Sequence, residues 1–365
     1  MEGKAAVVKR PLHILIIAEM KEGWSFVACQ RALMNMGHQV DAFNVGEVTF
    51  PMGRSLFWRM VYKISRAPIV ARINRALRQF VQAGLAHRLD FILICKGEYL
   101  PPRTLLQLKK QTGACLFNWQ TDDYFSPALS SSHAVRSIPL YDCIFAHTKA
   151  NVPELLARGA RRAEYLPHGA DPALYHPIGP NGEEPWEEDV VFIGNWRRER
   201  QRFLEKFVSG GVPFRFKVWG YLWEHLPPWS PLRPFVRFQA VPWESYGRLI
   251  RRSKILLVFL VRFDTGRVVV PLRLFEIPAA GGFMLVEKHN REAEEFYQAG
   301  EEMVCFEDIQ DLRAQIDHFL LHEDQRRKIA LAGQRRAVQS GYFYTQRMER
   351  MVQVYHEHRG GRKDR

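Results

Sequence analysis

The sequence predicts an α/β protein built from two doubly wound, Rossmann-like parallel sheets that face each other across a central cleft. Three observations carry this. Short apolar runs recur along the chain and are continuous rather than alternating, as in strands buried on both faces of a parallel sheet. Amphipathic segments such as Phe26–Met36 and Leu312–Leu321 separate the runs, so the order is βαβα twice over. A break at Asp171–Asp189 holds four prolines, two glycines and an acidic cluster, and reads as an interdomain linker.

The elements follow in order. Leu12–Ala18, Val40–Asn44, Phe91–Cys95, Ala114–Trp119, Cys143–His147 and Ala163–Leu166 are the expected strands of an N-terminal domain over 1–170. After the linker, 171–189, come Val190–Ile193, Phe214–Trp219, Ile255–Val261, Phe283–Glu287 and Met303–Phe306, the expected strands of a C-terminal domain over 190–340. A last helix over 341–358 has the option of crossing back to the N-terminal domain. The basic tail from Arg359 is expected to be disordered.

Composition narrows the class. Hydrophobic residues make up 47% and charged residues 25% of the 365, as in soluble globular proteins. The longest apolar run, Ile255–Val261, is far too short to span a bilayer. Lys4, Lys9 and Arg10 ahead of Leu12–Ala18 imitate a secretory signal. However, Glu19, Lys21 and Glu22 stand where small residues would mark cleavage, so the run is a first strand. Five scattered cysteines without metal-site spacing point to a reducing cytoplasm. The net charge of +13 calls for an anionic partner. It is concentrated over residues 54–88, where Arg54, Arg59, Lys63, Arg66, Arg72, Arg75, Arg78 and Arg88 occur without one acidic residue. Phe57, Trp58 and Tyr62 stand among them, a mixture that suits an anionic membrane surface at the inner face of the membrane. The plainer alternative is a packed helix with a solvated face.

Candidate chemistry lies in the loops after strands. "VVFIGNWRRERQRFL" runs from a strand through Gly194 and Asn195 into a basic helix. A glycine at that turn exposes backbone N–H groups, a helix N-terminus favours a phosphate, and Arg197 and Arg200 add bidentate donors. "NWQTDDYFSP" puts Asp122 and Asp123 just after a strand. Adjacent carboxylates raise each other's pKa, as a general base requires, although strand-end aspartates equally form turns. His168 in "YLPHGAD" ends the first domain at the cleft mouth, as a donor contact or a buried structural histidine. In "PLRLFEIPAAGG", Arg273 and Glu276 share a helix face at i, i+3, ahead of a turn at Gly281 and Gly282. Read alone, that is a surface salt bridge above a glycine cap. No Gly-x-Ser-x-Gly, Walker lysine, His-Glu-x-x-His or Gly-x-Gly-x-x-Gly occurs, which argues against hydrolase, NTPase and dehydrogenase classes. No metal site is expected.

"YLPHGAD", "VVFIGNWRRER", "PLRLFEIPAAGGFMLVEKHNREAEEFYQAGEEMVCFED" and "IALAGQRRAVQSGYFYTQRMERMVQVY" together resemble GT-B glycosyltransferases, most closely the CgeB-like (spore maturation protein) group. They span most of Asp142–Tyr355. The resemblance implies transfer of a sugar from a nucleoside-diphosphate donor, bound by the domain over 190–340, to an unidentified acceptor (a glycan, a lipid-linked molecule or a protein) taken by the domain over 1–170, without a metal ion. It implies that Glu276 accepts hydrogen bonds from the ribose hydroxyls and that Arg273 reaches the diphosphate or orients Glu276. In the retaining branch of such enzymes a second glutamate stands eight positions upstream. Here that position is Val268, with Arg267, Asp264 and Arg262 as the nearby substitutes. A catalytically inactive scaffold or coat protein is therefore the main alternative. A nucleic-acid-binding protein, suggested by charge alone, lacks a recognition helix.

Overall fold

The structure is a computed structural model that describes residues 10–53, 65–85, 89–176, 187–288 and 292–360. The chain divides into two units, one formed by residues 1–167 with 347–365 and the other by residues 168–346.

The first unit holds β1 (His13–Ala18), β2 (Gln39–Asn44), β3 (Phe91–Cys95), β4 (Cys115–Gln120), β5 (Cys143–Ala146) and β6 (Ala163–Tyr165). They form one parallel sheet in the order β2-β1-β3-β4-β5-β6. Every residue of β3, β4 and β5 is buried, as continuous apolar runs demand of strands covered by helices on both faces. The helix Ala67–Gln82 buries Ile69, Ile73, Leu77 and Val81 at a spacing of four and leaves Arg72 and Arg75 exposed. Much of the basic block, including Arg54, Arg59, Lys63, Arg88 and the aromatics Phe57, Trp58 and Tyr62, lies outside the described residues.

The C-terminal helix Tyr344–Gly360 contributes its residues from Arg347 onward to this unit. Arg350 clasps Glu164 of β6 through two bonds of 2.9 Å, and Tyr355 donates to Asp90 at 2.7 Å. Such fork-to-carboxylate geometry is the strong form of a charged hydrogen bond. All five cysteines are free, and four of them are buried in packing positions.

The second unit holds β7 (Glu188–Ile193), β8 (Phe216–Trp219), β9 (Ser253–Val258), β12 (Met284–Glu287) and β13 (Val304–Phe306) in a parallel sheet ordered β13-β12-β9-β7-β8. Between β9 and β12 the chain forms a small antiparallel hairpin of β10 (Val261–Arg262) and β11 (Val268–Val269). The apolar run Ile255–Val261 therefore splits, with β9 ending at Val258. Of the expected linker, 171–189, residues 171–176 belong to the described part of this unit, and β7 takes in its last two residues. Ala170 exchanges backbone bonds with Tyr342 and Tyr344, and the Leu174 and Tyr175 N–H groups donate to the Asp171 carbonyl. Residues 177–186 lie outside the described residues. Among the described residues no helix is long and apolar enough to cross a membrane.

Candidate functional site

In the second sheet β7 lies between β8 and β9, so the chain steps to one side of β7 and returns on the other. The C-terminal ends of β7 and β9 flank that reversal, where open α/β sheets bind ligands. Gly194 extends β7, donating to the Trp219 carbonyl at 2.8 Å. Gly220, after β8, has φ 151, and a Cβ there would lie 2.1 Å from the Gly194 carbonyl oxygen. Glycine is the residue that lets these two loops touch. Asn195, exposed, accepts the Tyr221 N–H through its side chain at 3.2 Å. Arg197 is the N-cap of the helix Arg198–Ser209 and makes no side-chain cap, which leaves the first-turn N–H groups without a capping side chain. Its guanidinium donates to the Arg262 carbonyl at 2.9 Å.

Arg200 is the unusual residue of this turn. It is only 8% exposed, yet among the described residues it has no ion pair with a carboxylate. It donates to the Asn195 carbonyl at 3.0 Å and lies over the Phe192 ring, while its Nε has no partner. Burial brings its pKa down to about 10, and Arg197 and Arg273 push the same way against the opposing pull of Glu199 and Glu287. A buried guanidinium with an unmet donor is costly unless an anion completes it.

Arg273 and Glu276 come from the helix Arg273–Ala279, which starts after Pro271 and ends in a glycine turn. Gly281 has φ 82 there, and the Gly281 and Gly282 N–H groups return to the Pro278 and Ile277 carbonyls, both at 2.9 Å. The Gly281 backbone thus shapes the helix end. Arg273 pairs with Glu276 and also donates from Nε to the Ile193 carbonyl at 3.3 Å. Its guanidinium lies 4.6 Å from the Tyr246 ring centroid. Burial disfavours the Arg273 charge, but Glu276 and the two tyrosines hold its pKa above the ordinary value. Tyr175 hydrogen-bonds the Glu276 carboxylate, and burial, followed by that carboxylate, raises the Tyr175 pKa. The Tyr246 hydroxyl is buried without a partner. Arg273 is thus held by Glu276, the Ile193 carbonyl and the Tyr246 ring, whereas the Arg200 Nε has no partner among the described residues.

Val268 faces Arg262 across the β10–β11 hairpin. Arg262 is committed to Glu287 at 2.6 and 3.1 Å, and Asp264 is exposed in the hairpin turn. His168 is half-buried, with the Tyr344 hydroxyl 3.5 Å from Nδ1. In the first unit the two aspartates differ. Asp123 is fully buried and accepts the Phe125 N–H at 3.1 Å, as a turn former does. Asp122 bonds the Lys96 ammonium at 2.7 Å. One trio of possible metal ligands exists among the described residues, Cys115, Asp142 and His358. Asp142 already receives Lys109 at 2.8 Å, Arg161 at 3.2 Å and the Leu116 N–H at 2.9 Å, so its charge is satisfied without an ion.

Sequence reasoning missed Tyr175, Tyr246 and Glu287. No local pattern marks them, because each reaches its partner from a distant element.

The family described as Glycosyl transferase-like matches residues 197–353. Among solved structures the chain is similar to sucrose-phosphate synthase from Thermosynechococcus elongatus, with a TM-score of 0.65 and 13% identity over 95% of this chain and 98% of that one. A glycosyltransferase from Rickettsia africae gives a TM-score of 0.63 and 12% identity over 96% and 99%. HepE of Anabaena in complex with UDP-glucose gives 0.61 and 14% over 95% and 100%. No curated protein sequence matches. The two parallel sheets are thus those of the GT-B glycosyltransferase fold.

Proposed function

We propose that this chain is a glycosyltransferase of hexosyltransferase type that uses a nucleoside-diphosphate sugar as donor and needs no metal ion. One observation carries the proposal. A buried arginine that joins no ion pair among the described residues, Arg200, sits beside an uncapped helix N-terminus at the switch point of a GT-B sheet. In the reaction, an acceptor hydroxyl oxygen bonds the anomeric carbon as that carbon's bond to the diphosphate oxygen breaks. The hydroxyl proton ends on the departing nucleoside diphosphate. Arg200 and Arg197 neutralise the charge that develops on the leaving group, the task a divalent cation performs elsewhere. Glu276, aimed by Arg273 and Tyr175, accepts the ribose hydroxyls. The family match, the fold and the UDP-glucose bound to HepE support this reading and make UDP-sugars the first donors to try.

The quoted stretches around Glu276 favour the CgeB-like group within these transferases. We infer a cytoplasmic enzyme held peripherally at the inner face of the membrane through residues 54–88, which free cysteines and the exposed Arg72 and Arg75 support. Release of nucleoside diphosphate from a panel of nucleotide sugars, with chelator present, tests the enzyme reading. Tight binding with no release under any acceptor mixture favours the inactive scaffold instead, and nucleic acid bound in place of nucleotide sugar favours the third class.

A further inference from the structure

The Glu276 carboxylate is already enclosed in the free protein. Its side chain is 6% exposed, and an ion pair with Arg273 and a hydrogen bond from Tyr175 close on it. A carboxylate has lone pairs to spare, but at that exposure a ribose cannot reach them while both neighbours stay. The two neighbours are not equally free to leave. Removing Arg273 strands a buried charge on each side, and its guanidinium is also held by the Ile193 carbonyl at 3.3 Å and by the Tyr246 ring. Tyr175 is neutral. A hydroxyl of the ligand can take over its bond, and the carboxylate then accepts as many hydrogen bonds as before.

The backbone that carries Tyr175 is fixed. The Tyr175 and Leu174 N–H groups donate to the Asp171 carbonyl at 2.9 and 3.0 Å, and the Ala173 N–H donates to the Asp171 carboxylate at 3.0 Å. The helix Trp243–Arg251 lies against the same segment. A Cβ on Gly247 would stand 2.4 Å from the Leu174 carbonyl oxygen, so glycine is what lets that helix come so close, and Arg251 donates to the His176 carbonyl at 3.2 Å. The Tyr175 ring, buried, meets the Tyr246 ring edge to face with centroids 5.7 Å apart. Its hydroxyl thus stands on Glu276 where a ligand hydroxyl would stand, and it is carried by an uncharged side chain.

We propose that Tyr175 gates the ribose position: its hydroxyl holds Glu276 in the free protein and gives way when a ribose hydroxyl bonds the carboxylate. This rests on the reading of Glu276 as the ribose acceptor, and makes donor binding an exchange of one hydroxyl for another. A nucleotide with ribose hydroxyls must displace Tyr175, whereas one without them leaves it in place.

The test is calorimetry on the full chain, wild type and Tyr175→Phe, with whichever of UDP, GDP and ADP binds and with the 2′,3′-dideoxy form of that nucleotide. Phenylalanine keeps the ring and removes the hydroxyl. The variant should bind the ribonucleotide at least about threefold more tightly, because no bond to Glu276 has to be given up, and should bind the dideoxy form as wild type does. A ribonucleotide affinity that falls, or rises by less than about threefold, overturns the proposal and leaves Tyr175 as a support for Glu276. Equal tightening of both forms also overturns it, since a general loosening of the site moves both. If no nucleoside diphosphate binds wild type, the ribose reading of Glu276 fails and the gate falls with it. Binding in wild type without tightening in Tyr175→Phe removes the gate alone.

Discussion

Arg273 and Glu276, one turn apart on a seven-residue helix, form an ion pair with Tyr246 against the guanidinium and Tyr175 bonded to the carboxylate. Glu276 keeps only 6% of its side chain exposed. The pair is thus part of the fold and, in the proposed reaction, part of the donor site.

Two effects of Glu276→Gln follow. The variant leaves Arg273 without its countercharge, and stability should fall by about 3 kcal/mol, the lower end for breaking a buried pair because Arg273 is one-quarter exposed. Donor affinity should fall by about 1–3 kcal/mol as the ribose loses an ionised acceptor. The double variant Arg273→Met/Glu276→Gln should recover stability and not affinity. Melting curves paired with calorimetry separate the two, and unchanged donor affinity in folded Glu276→Gln would confine the pair to a structural role.

Arg200 should behave in the opposite way. Replacing it by Met removes a buried, unpaired charge, so the free protein should melt at the same or a higher temperature. Diphosphate affinity should nevertheless drop by at least about tenfold, and Arg200→Lys should fall between, since it keeps charge and loses the fork. A melting temperature lowered by several degrees in Arg200→Met would show that the guanidinium serves the fold.

Asp142 predicts a pH dependence of stability. Its burial alone would raise its pKa, but hydrogen bonds from Lys109 and the Leu116 N–H, and the charge of Lys109, hold it below the ordinary carboxylate value. A depressed folded pKa contributes stability that is fully present above the unfolded value of about 4 and is lost as pH falls through the folded one. The melting temperature should therefore decline as pH falls below about 5, and Asp142→Asn should flatten that decline. Parallel curves for the two proteins would remove Asp142 from the account.

The strands were legible because each is a continuous apolar run bounded by helix-period sequence, as in Phe91–Cys95 and Cys143–Ala146. The β10–β11 hairpin was not, since two residues per strand carry no period. The Arg273–Glu276 pair was readable from its i, i+3 spacing. That Arg200 is the unpaired arginine was not, because charge in sequence says nothing about burial. Asp122 and Asp123 look equivalent in sequence, yet one pairs with Lys96 and the other folds into a turn. The long-range bonds of Tyr175 and the lone hydroxyl of Tyr246 exist only once the second unit has folded.

The basic block over 54–88 should give salt-sensitive attachment to anionic vesicles, at about 1 kcal/mol per basic residue near the surface. Co-sedimentation should be strong with anionic lipid at low salt, weaker at high salt and absent with neutral lipid. Indifference to anionic vesicles at low salt would contradict peripheral attachment.

Arg200, buried and in no ion pair among the described residues, is proposed to be kept so for a nucleoside diphosphate. Calorimetric titration of the full chain with UDP, in chelator, tests it most directly, with GDP and ADP as parallel titrants. Saturable binding of at least one of these nucleotides is expected, unaffected by chelator, weakened by at least about tenfold in Arg200→Met and by a smaller factor in Arg200→Lys. Equal affinity in wild type and Arg200→Lys, or no binding of any nucleoside diphosphate, would contradict it.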